Sequence, residues 1–381
     1  MTPTSNPPTL AAVIRRFPLI GRPRPACPAL SERVQEIADI AHAAGQVGAD
    51  RLSEGAHAMN KAALIASDCG LPDLARDMCW QHINLYREAD RPLTVLQARH
   101  MLEPVLNLAR LQLRAYDGEQ ALQLLTDMFQ AVRSKTDLVV DERTLPLAEL
   151  VGTRAEHHKL HEWVWLHLIG DGIRALTLAG RWDDAVSHAS AHRGIGLHLM
   201  EGRQATIVAH YINGDVTGAQ AALAESTPQQ PWELQVASCL KVLCTESDSR
   251  STHQDAVAMI AHFVEHQPMA GYAVFRAQFG LTVTTLADAV DPETAGRLLA
   301  QVTDEVIESG DGYAAREVLR SSNTPATGKQ LAALVDLVTT SGLGTGTLPE
   351  PVQRSLLDST ETAAQVLRVT LRQPEQRTTR A

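Results

Sequence analysis

A glycine, a few polar residues and then an alanine recur five times along this chain, each time where a new segment with helical apolar spacing begins. The pattern reads GLPDLA at Gly70–Ala75, GEQA at Gly118–Ala121, GRWDDA at Gly180–Ala185, GDVTGA at Gly214–Ala219 and GYAA at Gly312–Ala315. Glycine accepts the left-handed backbone that ends one helix, and a polar or acidic group favours the start of the next. Alanine then lets the two helices close tightly. The repetition predicts an all-α chain of stacked antiparallel helical hairpins, with irregular spacing that marks a degenerate array. Such hairpins bury a continuous core only by stacking on neighbours, which leaves a concave face for binding. Strand signals are nearly absent, and Leu138–Val140 is too short to carry one.

The punctuation between segments agrees. Pro28 and Ser31 open a first helix through Val34, Ile37, Ala38 and Ala41, and Asp50 caps a second that stops near Gly70. Pro72 falls in the first turn of a third, where a missing N–H is tolerated. Pro92 and Gly118 punctuate in the same manner, while Pro104, inside a helical segment from Thr94 to Ala115, is expected to kink it. An apolar share of 44% with only 4% aromatic residues suits helices packed through Ala and Leu. Residues 1–28 hold seven of the nineteen prolines, which predicts an extended Pro-rich N-terminal arm and no helix there. Arg15, Arg16, Arg22 and Arg24 make this arm the most basic stretch. The expected organisation is the arm over 1–28 and a single elongated helical-repeat domain over 29–371, divisible into halves 29–150 and 151–371. A disordered tail over 372–381 follows.

Several function classes are disfavoured. A formal charge of −10 argues against a general polyanion binder, though not against a local basic pocket. The five cysteines, Cys27, Cys69, Cys79, Cys239 and Cys244, are odd in number and scattered, so reduced structural thiols are expected. No apolar run approaches the roughly 20 residues that span a bilayer, and the N-terminus lacks the apolar core of a signal peptide. No membrane association and a cytoplasmic location are therefore expected. Phosphate loops, a GxSxG elbow, kinase signatures and a helix-turn-helix are not found, and no cofactor is expected.

Two regions carry the residues that chemistry needs. Eight of the fifteen histidines lie between His157 and His210. That window holds His188, His192, Arg193, His198, Arg203 and Gln204 among Gly194, Gly196 and Gly202. Glycines in and around a helix indicate close approach of another backbone or of a ligand, and a helix N-terminus beside Arg193 and Arg203 suits a phosphate or carboxylate. The alternative is that these are solvated faces and capping histidines. In the first third, His57, Asn60, Lys61, Leu64 and Asp68 share one helical face. Cys79, Trp80 and His82 follow on the next hairpin arm, and Arg99 and His100 precede Pro104. These segments either converge on one pocket or form the wet side of the helices. Three HxxxH pairs, His157/His161, His188/His192 and His262/His266, each place two imidazoles on one face, but none has a third ligand by spacing, so no metal site is expected.

Four stretches carry a resemblance: His57–His82, Leu176–Gly196, Glu201–Asp215 and Ser341–Pro351. Together they resemble a large group of actinobacterial helical proteins, often encoded with natural-product pathways, whose build is a tetratricopeptide-like right-handed array. The pattern is similar to aminoacyl-tRNA-dependent transferases typified by the seryl transferase of valanimycin biosynthesis. That resemblance implies transfer of an aminoacyl group from tRNA to a small-molecule acceptor, with no residue role carried over. Such chemistry needs a general base and donors at the oxyanion. His192 or His82 suits the base, and Arg193, Arg203 or Lys61 suits the developing charge. His57, Asn60, Lys61, Asp68, Arg99 and Gln204 are candidates to bind substrate, and the arm is placed to touch a tRNA backbone. The competing expectation is a non-catalytic scaffold or regulator that binds a peptide or protein on its concave face.

Overall fold

The computed structural model describes residues 8–89, 91–245, 250–321 and 327–372. Helices dominate them. In chain order they are α1 (Pro8–Ile14), α2 (Leu30–Ala44), α3 (Arg51–Asp68), α4 (Pro72–Arg87), α5 (Val95–Arg114) and α6 (Gly118–Ser134). A hairpin of β1 (Leu138–Val140) and β2 (Arg143–Leu145) precedes α7 (Arg154–Leu178), α8 (Trp182–Ala191), α9 (Glu201–Ile212) and α10 (Val216–Ala224). The chain continues with α11 (Pro231–Leu243), α12 (Arg250–Glu265), α13 (Ala273–Asp288) and α14 (Pro292–Ser309). It ends with α15 (Gly312–Arg320), α16 (Gly328–Thr340) and α17 (Glu350–Arg372). The all-α expectation holds.

The chain forms two compact units, and both are discontinuous in sequence. Unit 1 combines the N-terminal segment up to Ala29 with Gly172–Ser341, and unit 2 combines Leu30–Asp171 with the chain from Gly342 onward. This division differs from two consecutive halves, and the reason in unit 2 is α17. Its buried residues Leu356, Ser359, Thr360, Ala363, Ala364, Leu367 and Leu371 recur at helical spacing and face the core. The helix packs on α2 and α3. Gly55 makes that approach close: a Cβ there would stand 2.9 Å from Leu367 and 3.4 Å from the Ala363 carbonyl. The loop before α17 also serves α3. The amides of Gly344 and Gly346 donate to the carbonyls of Asp68 and Cys69, each at 2.8 Å, satisfying acceptors that the helix end leaves open.

Local signals explain most of the helix ends. Asp50 caps α3 by accepting from the Ser53 amide, and Pro72 opens α4. Gly70, Gly180 and Gly214 have φ of +79°, +73° and +76°, as the glycine pattern predicts. The pattern misplaces two others. Gly118 and Gly312 are the first residues of α6 and α15, capped by Asp117 and Asp311, while the left-handed positions fall on Tyr116 and Gly310. Gly312 is required by proximity instead, since a Cβ there would meet the Ser341 hydroxyl at 2.3 Å. Helix α5 runs from Val95 to Arg114 with Pro104 inside it.

Two expectations need correction. The arm is not wholly extended: α1 occupies Pro8–Ile14, because Pro8 stands where a first helical turn tolerates proline and no further proline follows until Pro18. The β1–β2 hairpin turns through Asp141 and Glu142, both with positive φ (47° and 62°). Asp-Glu lacks the glycine that usually announces such a turn. Asp141 pairs with Arg76, and Trp80 donates its indole N–H to the same carboxylate at 3.3 Å, which ties the turn to α4.

Tyr116 combines a left-handed φ of 62° with a side chain that is 97% exposed. Tyr116→Gly should therefore relieve backbone strain with little lost packing and stabilise the protein by about 0.5–1 kcal/mol. Urea unfolding of both proteins measures this; a lower midpoint in the variant would contradict it.

Candidate functional site

Helix α3 is packed by α2, α4 and α17, so most of its surface is covered and Ala58, Met59, Ala62, Ala63, Ile65 and Ala66 are buried. The stripe left accessible is His57, Asn60, Lys61, Leu64 and Ser67. On α5, Arg99, Glu103, Arg110 and Arg114 are accessible along one face, and Asn107 falls in the same three- and four-residue series but is buried (5% exposed). Trp163, His167 and Asp171 repeat the spacing on α7. Side chains join the three helices into one polar face. Asn107 donates its amide to the Asn60 side-chain oxygen at 2.6 Å, Arg110 reaches Asp171 at 2.9 Å, and the Arg99 guanidinium stands 5.5 Å from the Trp163 ring centre. Lys61 pairs with Glu36 of α2.

Charge is balanced along this face. Burial pushes the Asp171 carboxyl up, but hydrogen bonds from His167 and Arg110 and the Arg110 charge outweigh it and hold Asp171 below the usual carboxylate range. Asp68, nearly sealed from solvent, receives Arg33 at 2.6 Å and Arg114 at 3.1 Å. It therefore anchors α2 and α5 to the end of α3. Burial and the Lys61 charge lower the His57 pKa, against the opposing pull of Glu36 and Glu103. His57 remains accessible, and the lowered pKa favours its uncharged form.

Beneath this face lies a second set of polar groups. His82 and Tyr86 on α4 and His100 on α5 are all buried, and His82 and Tyr86 sit with ring centres 5.7 Å apart. Among the described residues, neither ring nitrogen of His82 or His100 finds a hydrogen-bond partner, nor does the Tyr86 hydroxyl. The nearest carboxylate to His100 Nδ1 is Glu103 at 3.7 Å, beyond hydrogen-bond reach. Burial, reinforced by His100, pushes the His82 pKa down to about 3. Burial raises the neighbouring Cys79 thiol to about 12, against the charge of Arg76. Thus His57–Asp68, Cys79–His82 and Arg99–His100 do gather in unit 2. His57, Asn60, Lys61 and Arg99 are accessible on the face, while His82 and Asp68 are enclosed.

The other candidates lie in unit 1. His192 is the residue after α8; its amide bonds the His188 carbonyl and the two imidazoles stand 4.9 Å apart. Arg193 follows with φ +56°, turning the chain. The glycines here serve the close approach of backbone to backbone: a Cβ on Gly202 would stand 2.3 Å from the Gly194 carbonyl oxygen. Arg203 is buried, donates to the Gly196 carbonyl at 2.9 Å and lies 3.6 Å from Glu225. The Gln204 amide is fully buried against Leu19 and Leu199. The arm arginines are engaged as well. Arg16 bonds the Leu281 carbonyl, Thr285 and Ser321, and Arg22 pairs with Glu201 at 2.8 Å. Of the HxxxH pairs, the rings of His262 and His266 are 6.0 Å apart. Among the described residues no three His, Cys, Asp or Glu side chains gather as metal ligands, and no helix is long and apolar enough to cross a membrane.

Sequence reasoning passed over Asn107, Arg110, Trp163, His167 and Asp171, which complete the polar face. Their only signal is a three- and four-residue recurrence of polar side chains on α5 and α7. Against known proteins, the chain matches no family model, no curated protein and no solved structure.

The buried imidazole gives a pH dependence of definite sign. His82 titrates near 6.5 when unfolded and near 3 when folded, so between those values the unfolded chain binds a proton that the folded chain refuses. Stability is full above about pH 6.5 and falls as the pH drops toward 3, by up to about 1.4 kcal/mol per pH unit. Urea midpoints from pH 7.5 to 5 should fall less steeply in His82→Phe than in the wild type. Parallel slopes would exclude a buried neutral His82.

Proposed function

We propose that the chain is a non-catalytic scaffold or regulator, a helical-hairpin array of the tetratricopeptide kind, that binds a peptide or protein partner on the polar face of α3, α5 and α7. The observation that carries this reading is Asn60, the accessible carboxamide at the centre of the face, held in place by a bond from the buried Asn107 and flanked by Arg110 and Lys61. Carboxamides offer both a donor and an acceptor, which matches a peptide backbone whatever its side chains are. The flanking cations are only partly covered and suit acidic groups of a partner. Trp163 with Arg99 adds an amphipathic edge.

Panning the full-length chain against a library of extended peptides tests the reading. Enriched peptides should lose at least about fivefold in affinity on Asn60→Ala, the equivalent of one hydrogen bond worth about 1 kcal/mol, and more on Asn60→Ala with Arg110→Ala. Ligands indifferent to both substitutions would place the partner surface elsewhere.

A second reading, aminoacyl transfer from tRNA to a small acceptor, is favoured by His57. An accessible imidazole held uncharged beside Lys61 is suited to act as a general base next to a cation. Retention of charged over uncharged tRNA, weakening with salt and lost in His57→Ala, would select this reading over the scaffold.

A further inference from the structure

In unit 1 the N-terminal segment is held the way a groove holds a peptide. After α1, residues 18–29 belong to no helix or strand, yet three features fix them in register. Gln204 of α9 accepts from the Leu19 amide at 2.8 Å and donates to the Leu19 carbonyl at 2.7 Å, the two bonds that a neighbouring strand would make. A further bond of 2.6 Å to the Leu199 carbonyl locks the orientation of that amide, and Gln204 is fully buried. Gly21 lies against Trp232 of α11 so closely that a Cβ would stand 2.3 Å from the indole ring. Arg22 extends to Glu201, a buried carboxylate at the start of α9, at 2.8 Å.

Each contact reads a chemical property. Gln204 reads an extended backbone, the Leu19 side chain is fully enclosed, Trp232 admits no side chain two residues later, and Glu201 selects a cation next to it. Between Arg22 and Ala26 the chain is exposed, with a backbone bond from the Arg24 amide to the Gly271 carbonyl. The buried Cys27 then holds it again, its carbonyl accepting from the Gly312 amide and the Ser341 hydroxyl. Pro23, Pro25 and Pro28 remove donors and favour an extended segment after Arg22.

We infer that the α9–α11 face of unit 1 is a recognition groove for an extended peptide of pattern apolar–any–Gly–basic, occupied in cis by Leu19–Arg22. A partner segment of that pattern enters by displacing the arm, which acts as a built-in competitor. The site is separate from the α3–α5–α7 face and does not depend on what that face binds.

The test uses the full-length chain and a fluorescent peptide of residues Phe17–Ala26, read by anisotropy. A tethered competitor acts at an effective concentration on the order of millimolar. Wild type should therefore bind the peptide at least tenfold more weakly than Gly21→Val, whose own arm cannot seat under Trp232. Adding Gln204→Ala to the Gly21→Val chain should abolish the gain, and a peptide carrying Gly21→Val should not bind. Arg22→Glu, a change at the surface, is the second arm variant and should show the same gain. Equal binding to wild type and both arm variants, or binding to none, overturns the proposal. So does loss of the helical circular dichroism signal in both arm variants, because the arm is then an inseparable part of the unit 1 core. Asn60→Ala should behave as wild type here, which keeps this outcome apart from that of the other face.

Discussion

Leu367 rests on the bare backbone of Gly55, and the architecture of unit 2 depends on that contact. A helical hairpin has two faces to cover, and α3 meets α2, α4, α5 and α17. With a side chain at position 55, α17 would stand off and expose the alanines of α3. The stripe from His57 to Ser67 stays partly accessible and, Leu64 apart, is polar, as suits a face that meets water. The candidate site is therefore what close packing leaves over, and its composition follows from that geometry.

Unit 1 solves a related problem with different means. Its glycines at 194 and 202 allow two backbones to meet, and Gln204 turns a buried carboxamide into a substitute strand for the arm. A buried amide side chain is costly unless both its oxygen and its nitrogen are satisfied. Leu19 and Leu199 supply all three bonds, so the same group that looked like a substrate ligand in the sequence is committed to holding the chain's own backbone. Arg16 and Arg22 follow the same logic: cations in a basic arm are spent on carbonyls, hydroxyls and a buried carboxylate of their own unit.

How much was legible depended on whether the signal was local. The cap at Asp50 and the left-handed glycines at 70, 180 and 214 were readable because each acts within four residues of itself. Gly118 and Gly312 matched the same pattern for another reason, and the true left-handed positions, Tyr116 and Gly310, differ only in backbone angle. The Asp141–Glu142 turn was hidden because its support, Arg76 and Trp80, is more than sixty residues away. His82 stood out in the sequence as a reactive imidazole. Its burial on α4 makes it a neutral one, and no spacing rule reports burial.

The sequence by itself determined that this chain is helical, where most of the helices end, and that a polar stripe runs along α3. These follow from turn chemistry and the 3.6-residue period, which operate between near neighbours. Tertiary structure alone decided that α17 returns to close unit 2, that Asn107, Arg110 and Asp171 join the α3 stripe, and that Gln204 and Arg22 serve the arm. Each of these rests on contacts between residues tens to hundreds of positions apart. Only packing in three dimensions chooses among the many partners such side chains have available.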